Sequence, residues 1–302
     1  MSLDVQITNY LSKIFVASLF RKNYSPQTMR RHMKIISSVP RAILKRSHPA
    51  ASFEEMNMDG VPAEMISARK GQEKIILFLH GGGYFMGSIS GFRRFALSAS
   101  RQCDSRVVLI DYRLAPEHPY PAALDDAKKA FLYLRAKFPG VEISVGGDSA
   151  GGGLALALVM ALRDGSHSIP DKVFAVSPWA DLVGEGESLA KNQKLDFWLN
   201  KEMTQTWGAH YYVQNDPKTP YISPVFGSYA KFPPLLIFVG DQEILMSDSE
   251  RVFSKAKAAG VQTQLHIGKG MQHDWFLAFP SLSESKRAVQ TLKDFMSKDQ
   301  SI

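Results

Sequence analysis

Ile143-Ser144-Val145-Gly146-Gly147-Asp148-Ser149-Ala150-Gly151-Gly152 joins a short β-prone run to an apolar, small-residue run through a serine with glycines two residues to either side. The first four residues predict a strand, and the segment that follows, Ala150–Arg163, predicts a helix. A G-x-S-x-G stretch between a strand and a helix is the setting of a nucleophile elbow, where the serine is presented on a strained turn. The glycines are needed because any side chain beside that turn would meet the adjacent strand and helix. The helix N-terminus then offers backbone N–H groups to a developing anion. A bare G-x-S-x-G arises often by chance, so the flanking elements carry the reading.

A second signal lies upstream. His80-Gly81-Gly82-Gly83-Tyr84 directly follows the apolar run Lys74–Leu79. Consecutive glycines let backbone N–H groups face a substrate oxygen without obstruction, and acyl-transfer intermediates need two or three such donors. A phosphate-binding turn is the competing reading, but no Lys-Ser/Thr follows and the G-x-G-x-x-G spacing is absent. Two such motifs in this order, each after a strand, imply acyl transfer.

The rest of the chain supplies a matching scaffold. Strands are predicted at Phe53–Met58, Ala63–Ala68, Lys74–His80, Arg106–Tyr112, Ile143–Gly147, Lys172–Ser177, Leu235–Gly240 and Gln262–Ile267. The first two alternate and lie close together, which predicts an antiparallel hairpin turning near Asp59-Gly60. The later runs are continuously apolar and separated by helix-length stretches, as buried parallel strands are. Helices are predicted at Phe92–Arg101, Ala122–Phe138, Ala150–Arg163, Asp248–Ala259 and Leu282–Ser297. The fold class is therefore α/β, an eight-stranded, mostly parallel, doubly wound sheet flanked by helices. Two regions stand outside this alternation: residues 1–50, and an insertion at about 184–215. Both are expected to form a small helical cap on a catalytic domain spanning 51–302.

A serine nucleophile needs a base, and the base an orienting acid. In this fold the acid and then the histidine follow the serine in the chain. Of the later histidines, His266 sits within a strand pattern, His210 in the insertion, and His167 ahead of any acid-bearing strand. His273 stands in the loop between the last strand and the last helix, where the base is expected. Strand Leu235–Gly240 ends in Asp241-Gln242-Glu243, and position alone leaves both carboxylates open.

Composition is ordinary for one large domain of 302 residues, with 45% hydrophobic and 22% charged residues. No apolar run is long enough to span a bilayer. Cys103 is the only cysteine, which fits a reducing compartment and a buried structural thiol. No basic motif interleaved with aromatics supports nucleic-acid binding. The net charge of +7 is concentrated at one end: no acidic residue lies between Asp4 and Glu54, while nine Lys and Arg do. Such a segment suits weak contact with a membrane surface or steering of anions, although a solvated helical face is the plainer reading. It also has the composition of a mitochondrial transit sequence, but no secretory signal is evident. Ile7, Tyr10, Leu11, Ile14, Phe15, Leu19 and Phe20 recur at helical spacing and predict an amphipathic helix. A cytoplasmic location is expected.

Taken with Asp111-Tyr112-Arg113-Leu114-Ala115-Pro116-Glu117-His118-Pro119-Tyr120-Pro121, Ser177-Pro178-Trp179-Ala180-Asp181-Leu182 and Pro220-Tyr221-Ile222-Ser223-Pro224, the motifs give the chain a resemblance. It is similar to bacterial esterases of the hormone-sensitive lipase family, in the branch with a GDSAG nucleophile motif, over about residues 75 to 280. The resemblance implies an α/β-hydrolase fold with an oxyanion hole at Gly82, Gly83 and Ala150. It implies Glu243 as the acid: aligned on Leu245, the family's catalytic Asp falls at this Glu, and Asp248 matches the trailing acid. It also implies an N-terminal helical cap rather than a transit peptide, and a homodimer. No cofactor or metal is expected.

The expected activity is hydrolysis of short- to medium-chain carboxylic esters by Ser149, His273 and Glu243 through an acyl-enzyme, with a small-molecule ester as the only substrate partner. An amidase, deacetylase or lactonase would use the same triad. A ligand-binding receptor on this fold would keep the glycine loop yet lose the histidine. The Asp111–Ala123 segment is expected to be structural, held by an Arg113–carboxylate network, and Asp148 to buttress the elbow. Tyr84, Phe85, Trp179, Phe197, Trp198, Trp207, Tyr211 and Tyr212 are candidates either for a pocket wall or for core.

Overall fold

A computed structural model describes residues 26–298. The amphipathic helix expected over 7–20 lies outside them. Among the described residues the strands are β1 (Ser52–Met58), β2 (Val61–Ser67), β3 (Lys74–Leu79), β4 (Ser105–Ile110), β5 (Ile143–Asp148), β6 (Val173–Val176), β7 (Leu235–Gly240) and β8 (Thr263–Gly268). They form one sheet in the order β1-β2-β4-β3-β5-β6-β7-β8. β1 and β2 pair antiparallel, as do β2 and β4; every other pairing is parallel.

The hairpin turns where the sequence places it. Met58 faces Val61, and the two residues between them, Asp59 and Gly60, have φ of 54° and 94°. Positive φ at both positions gives a tight turn whose twist matches its strands. Asn57 Oδ1 accepts the Gly60 N–H at 2.7 Å.

The helices are α1 (Pro26–Ser37), α2 (Arg41–Ser47), α3 (Ile89–Cys103), α4 (Ala122–Lys137), α5 (Ser149–Asp164), α6 (Ser188–Lys191), α7 (Lys201–Tyr212), α8 (Met246–Ala258), α9 (Trp275–Ala278) and α10 (Ser283–Ser297). They cover both faces of the sheet, which explains why the central strands are apolar without alternation. On one face Ile75, Leu77 and Leu79 pack with Phe131 and Leu134 of α4 and with Leu154 and Leu158 of α5. On the other, Ile76 and Phe78 pack with Ala96 and Leu97 of α3 and with Leu292 and Phe295 of α10. Each large side chain buried in this way contributes about 1.5–3 kcal/mol. Cys103 is part of the second face, and burial pushes its thiol up to about 12. No helix among the described residues is long and apolar enough to cross a membrane.

The basic N-terminal segment is partly tied inward. Arg30 of α1 donates to the Phe85 and Ala115 carbonyls at 2.8 and 3.0 Å and pairs with Glu117 at 2.9 Å. Arg41 and Arg93 grip the buried Glu64 at 2.9 and 2.8 Å. These cations therefore dock α1 and α2 on the sheet domain, while Ile35, Ile36 and Ile43 stay exposed.

Candidate active site

Ser149 stands at the C-terminal edge of the parallel strands, where ligands of open α/β sheets bind. It has φ of 52°, a left-handed conformation costly for a residue with a side chain. Its surroundings hold it there. A Cβ on Gly151 would lie 2.0 Å from the Leu79 carbonyl oxygen, and one on Gly147 would lie 2.2 Å from the Gly151 carbonyl oxygen. Only glycine lets α5 start this close to β3.

The glycine loop lies alongside. Gly82 and Gly83 have φ of 118° and 61°, and side chains there would strike the Met86 carbonyl and the Trp207 ring. Among the described residues, the N–H groups of Gly82 and Gly83 donate no hydrogen bond. The loop is braced from below and behind. Asp148 Oδ1 accepts the Gly81 N–H at 2.8 Å, and Tyr112 Oη donates to the His80 carbonyl at 2.6 Å. The Ala115 N–H donates to the Tyr84 carbonyl at 2.9 Å, and Arg113 is bound in a fork by Asp126. The charged Asp111–Ala123 segment is thus a support, with Asp111 Oδ1 accepting the Ile89 N–H at the start of α3.

The loop after β7 and the loop after β8 bring an acid to a histidine. Glu243 is fully buried, and its Oε2 lies 2.9 Å from His273 Nδ1. Its Oε1 accepts from the Ser177 hydroxyl at 2.7 Å and from the Gly240 N–H. Asp241 turns the other way, accepting the Gly270 N–H at 2.7 Å and so tying the acid loop to the histidine loop. Asp248 accepts the N–H groups of Ala180 and Asp181 at 2.9 and 2.8 Å. His273 precedes the short helix α9, which the sequence reading did not anticipate. His266 lies on β8, stacked on Trp275, and His210 lies on α7.

Electrostatics around the imidazole are dominated by carboxylates. Burial pulls His273 down, but Asp274, Glu243 and Asp196 outweigh it and push it up to about 10. Burial pushes Asp274 up to about 7 and Asp196 up to about 6. Sequence reasoning passed over Asp274, whose Oδ2 lies 3.2 Å from His273 Nε2, and Ser177, the donor to Glu243. It also passed over Asn192 and Asp196. Asn192 Nδ2 donates to the Asp241 and Glu243 carbonyls, and Asp196 Oδ2 accepts the Ile244 N–H. Ser177 had a readable signal, because it ends a predicted strand on the edge that carries Ser149.

A pocket of about 450 Å³ opens over Ser149 and His273. Gly82 and Gly83, Met33 and Ile36 of α1, Phe92 and Phe95 of α3, Trp198, Trp207 and Leu277 line it. Of the aromatic candidates, Trp198 and Trp207 reach this wall. Tyr84 and Tyr211 are core, stacked with centroids 3.7 Å apart, and Trp179 is buried beside them. A second, apolar cavity of about 220 Å³ adjoins the pocket and shares Arg94, Phe95 and Leu277 with it.

Comparison with known proteins places these features in a group. A family model described as the alpha/beta hydrolase fold matches residues 76–277. An esterase of Acinetobacter venetianus is 32% identical over 95% of this chain and 94% of that protein. An acetyl-hydrolase of Streptomyces hygroscopicus is 33% identical over 78% of this chain and 79% of that protein. The crystal structure of an esterase from the bacterial hormone-sensitive lipase family superposes with a TM-score of 0.84 at 34% identity, over 94% of this chain and 96% of that one.

Proposed function

The chain belongs to the alpha/beta-hydrolase fold family, among the esterases of the bacterial hormone-sensitive lipase group, and from that premise we propose that it hydrolyses carboxylic esters with Ser149 as nucleophile, His273 as base and Glu243 as the acid that orients it. The observation that carries this reading is the Glu243–His273 contact of 2.9 Å on the strand edge that presents Ser149 in a left-handed turn. With Nδ1–H held by Glu243, the Nε2 lone pair is the one left to accept a proton.

In the first step Ser149 Oγ attacks the ester carbonyl carbon as its proton passes to His273 Nε2. Charge gathers on the carbonyl oxygen, where the N–H groups of Gly82, Gly83 and Ala150 receive it. Collapse breaks the bond to the alcohol oxygen, which takes the proton from Nε2. Water then adds to the acyl-enzyme by the same route, giving the acid and free Ser149. Glu243 stays ionised throughout and stabilises the imidazolium.

The pocket supports short- to medium-chain acyl groups: its wall is largely apolar, and Phe95 and Leu277 line both it and the smaller neighbouring cavity. The N-terminal segment from residue 26 and the insertion at about 184–215 act as a cap, since α1 and Trp198 and Trp207 roof the pocket. A series of p-nitrophenyl esters from acetate to palmitate tests the reading. Turnover that peaks at short or medium chains supports it; turnover confined to amides or lactones would replace the substrate class and leave the triad.

A further inference from the structure

Asp274 presents a carboxylate to the catalytic face of His273 that the steps above do not use. Its Oδ2 lies 3.2 Å from Nε2, the nitrogen assigned the Ser149 proton. The contact is built in. Asp274 is held at φ of 54°, and its N–H donates at 3.2 Å to the Ser177 Oγ that also serves Glu243. Nearby, the buried Asp148 accepts the Gly81 N–H at 2.8 Å and adds a second carboxyl to the same field. Among the described residues no hydrogen bond joins Nε2 to Ser149.

Resting on the assignment of His273 as base, we propose that Asp274 is a positioning residue that competes with Ser149 for Nε2, holding the imidazole protonated until the Nε2 proton is lost. The charged groups facing the ring are Asp274 beside it, Glu243 after β7, Asp148 at the end of β5 and Asp196 from the insertion. In the resting state the imidazolium donates Nδ1–H to Glu243 and holds its Nε2 side in an ion pair with Asp274. Release is a single proton transfer from Nε2 to solvent through the open pocket. The Nε2 lone pair then faces an oxygen with no proton to share, a repulsive contact, and the hydroxyl of Ser149 becomes its better partner.

The sign follows. An anion at this distance favours the charged imidazolium, so removing it lowers the pH at which the base is freed, by about one to three units. The test is kcat/KM against pH on p-nitrophenyl butyrate for wild type, Asp274→Asn and Asp274→Glu. The acid limb should fall at least one unit lower in Asp274→Asn, making hydrolysis about tenfold faster or more below both limbs. Asp274→Glu, which keeps the charge, should stay near the wild-type limb. Coincident limbs in wild type and Asp274→Asn, or a limb moved upward, would overturn the proposal. Asp274→Ser carries the same comparison if the amide variant does not fold. Titration of ¹³C-labelled histidine in Ser149→Ala, with and without Asp274→Asn, reads the same shift without any substrate. Should wild type cleave no ester while that titration still moves, the esterase reading fails and the clamp stands.

Discussion

Exchanging Glu243 for glutamine removes one charge and no volume, and the hydrogen bonds around it dictate how the amide must sit. Oε1 receives two donors, the Ser177 hydroxyl and the Gly240 N–H, so the amide oxygen of Glu243→Gln is held at that position. The NH₂ then replaces Oε2, 2.9 Å from His273 Nδ1. An NH₂ donates, so Nδ1 must become the acceptor and the ring proton moves to Nε2. That tautomer cannot take the Ser149 proton. In the Ser-His-Asp template the equivalent acid-to-amide exchange costs about 10⁴ in kcat with geometry intact. A loss of about 10³ to 10⁴, or about 4–5.5 kcal/mol of barrier, is expected here. Asp241→Asn should lose less than about tenfold, because Asp241 supports the Gly270 N–H and touches neither ring nitrogen. The assay is p-nitrophenyl butyrate hydrolysis, with far-UV circular dichroism to establish folding. A folded Glu243→Gln enzyme that keeps more than a tenth of wild-type kcat would refute the reasoning, as would a larger loss at Asp241.

Other perturbations follow from the same contacts. Gly151→Ala places a methyl 2.0 Å from the Leu79 carbonyl oxygen, a backbone atom that cannot yield, so thermal denaturation should show destabilisation of about 3 kcal/mol or more. Phe95→Ala removes a ring that lines both the pocket and the neighbouring cavity and should enlarge the acyl site. Two further buried methylenes are worth about 1.6 kcal/mol, so kcat/KM for decanoate relative to butyrate should rise about tenfold. An unchanged ratio would place the chain elsewhere. Arg30 holds Glu117 down to about 2 through their hydrogen bond, a depressed carboxylate. The stability it lends is therefore present above the ordinary Glu range near 4.5 and is lost as pH falls toward about 2. The gap between denaturant melts of Arg30→Ala and wild type should accordingly narrow at low pH, leaving the part due to the Phe85 and Ala115 carbonyls.

What the sequence disclosed best is chemistry written into the backbone. Continuous apolar runs revealed strands covered on both faces, and Asp59-Gly60 revealed the hairpin, because each depends on local residue type. The elbow and the glycine loop were legible for the same reason, since glycine stands where no Cβ fits. The choice between Asp241 and Glu243 was not. Both leave the same strand end, and only the turn that sends one to His273 and the other to Gly270 separates them. The pocket wall was also hidden, because α1, α3 and α9 meet there only in the fold. Tyr84 and Tyr211 look like a wall by composition yet stack in the core, whereas Met33, Ile36 and Phe95 gave no signal of their place. Asp274 was overlooked because nothing in the sequence marks the left-handed φ of 54° at which it stands beside His273.

The central claim is that Ser149 forms an acyl-enzyme, and hydrolysis of p-nitrophenyl esters from acetate to palmitate by wild type and Ser149→Ala tests it most directly. Wild type should turn over the short esters, and the variant should fall by about a thousandfold or more while remaining folded. Folded wild type inactive on every ester, or full activity in Ser149→Ala, would contradict it.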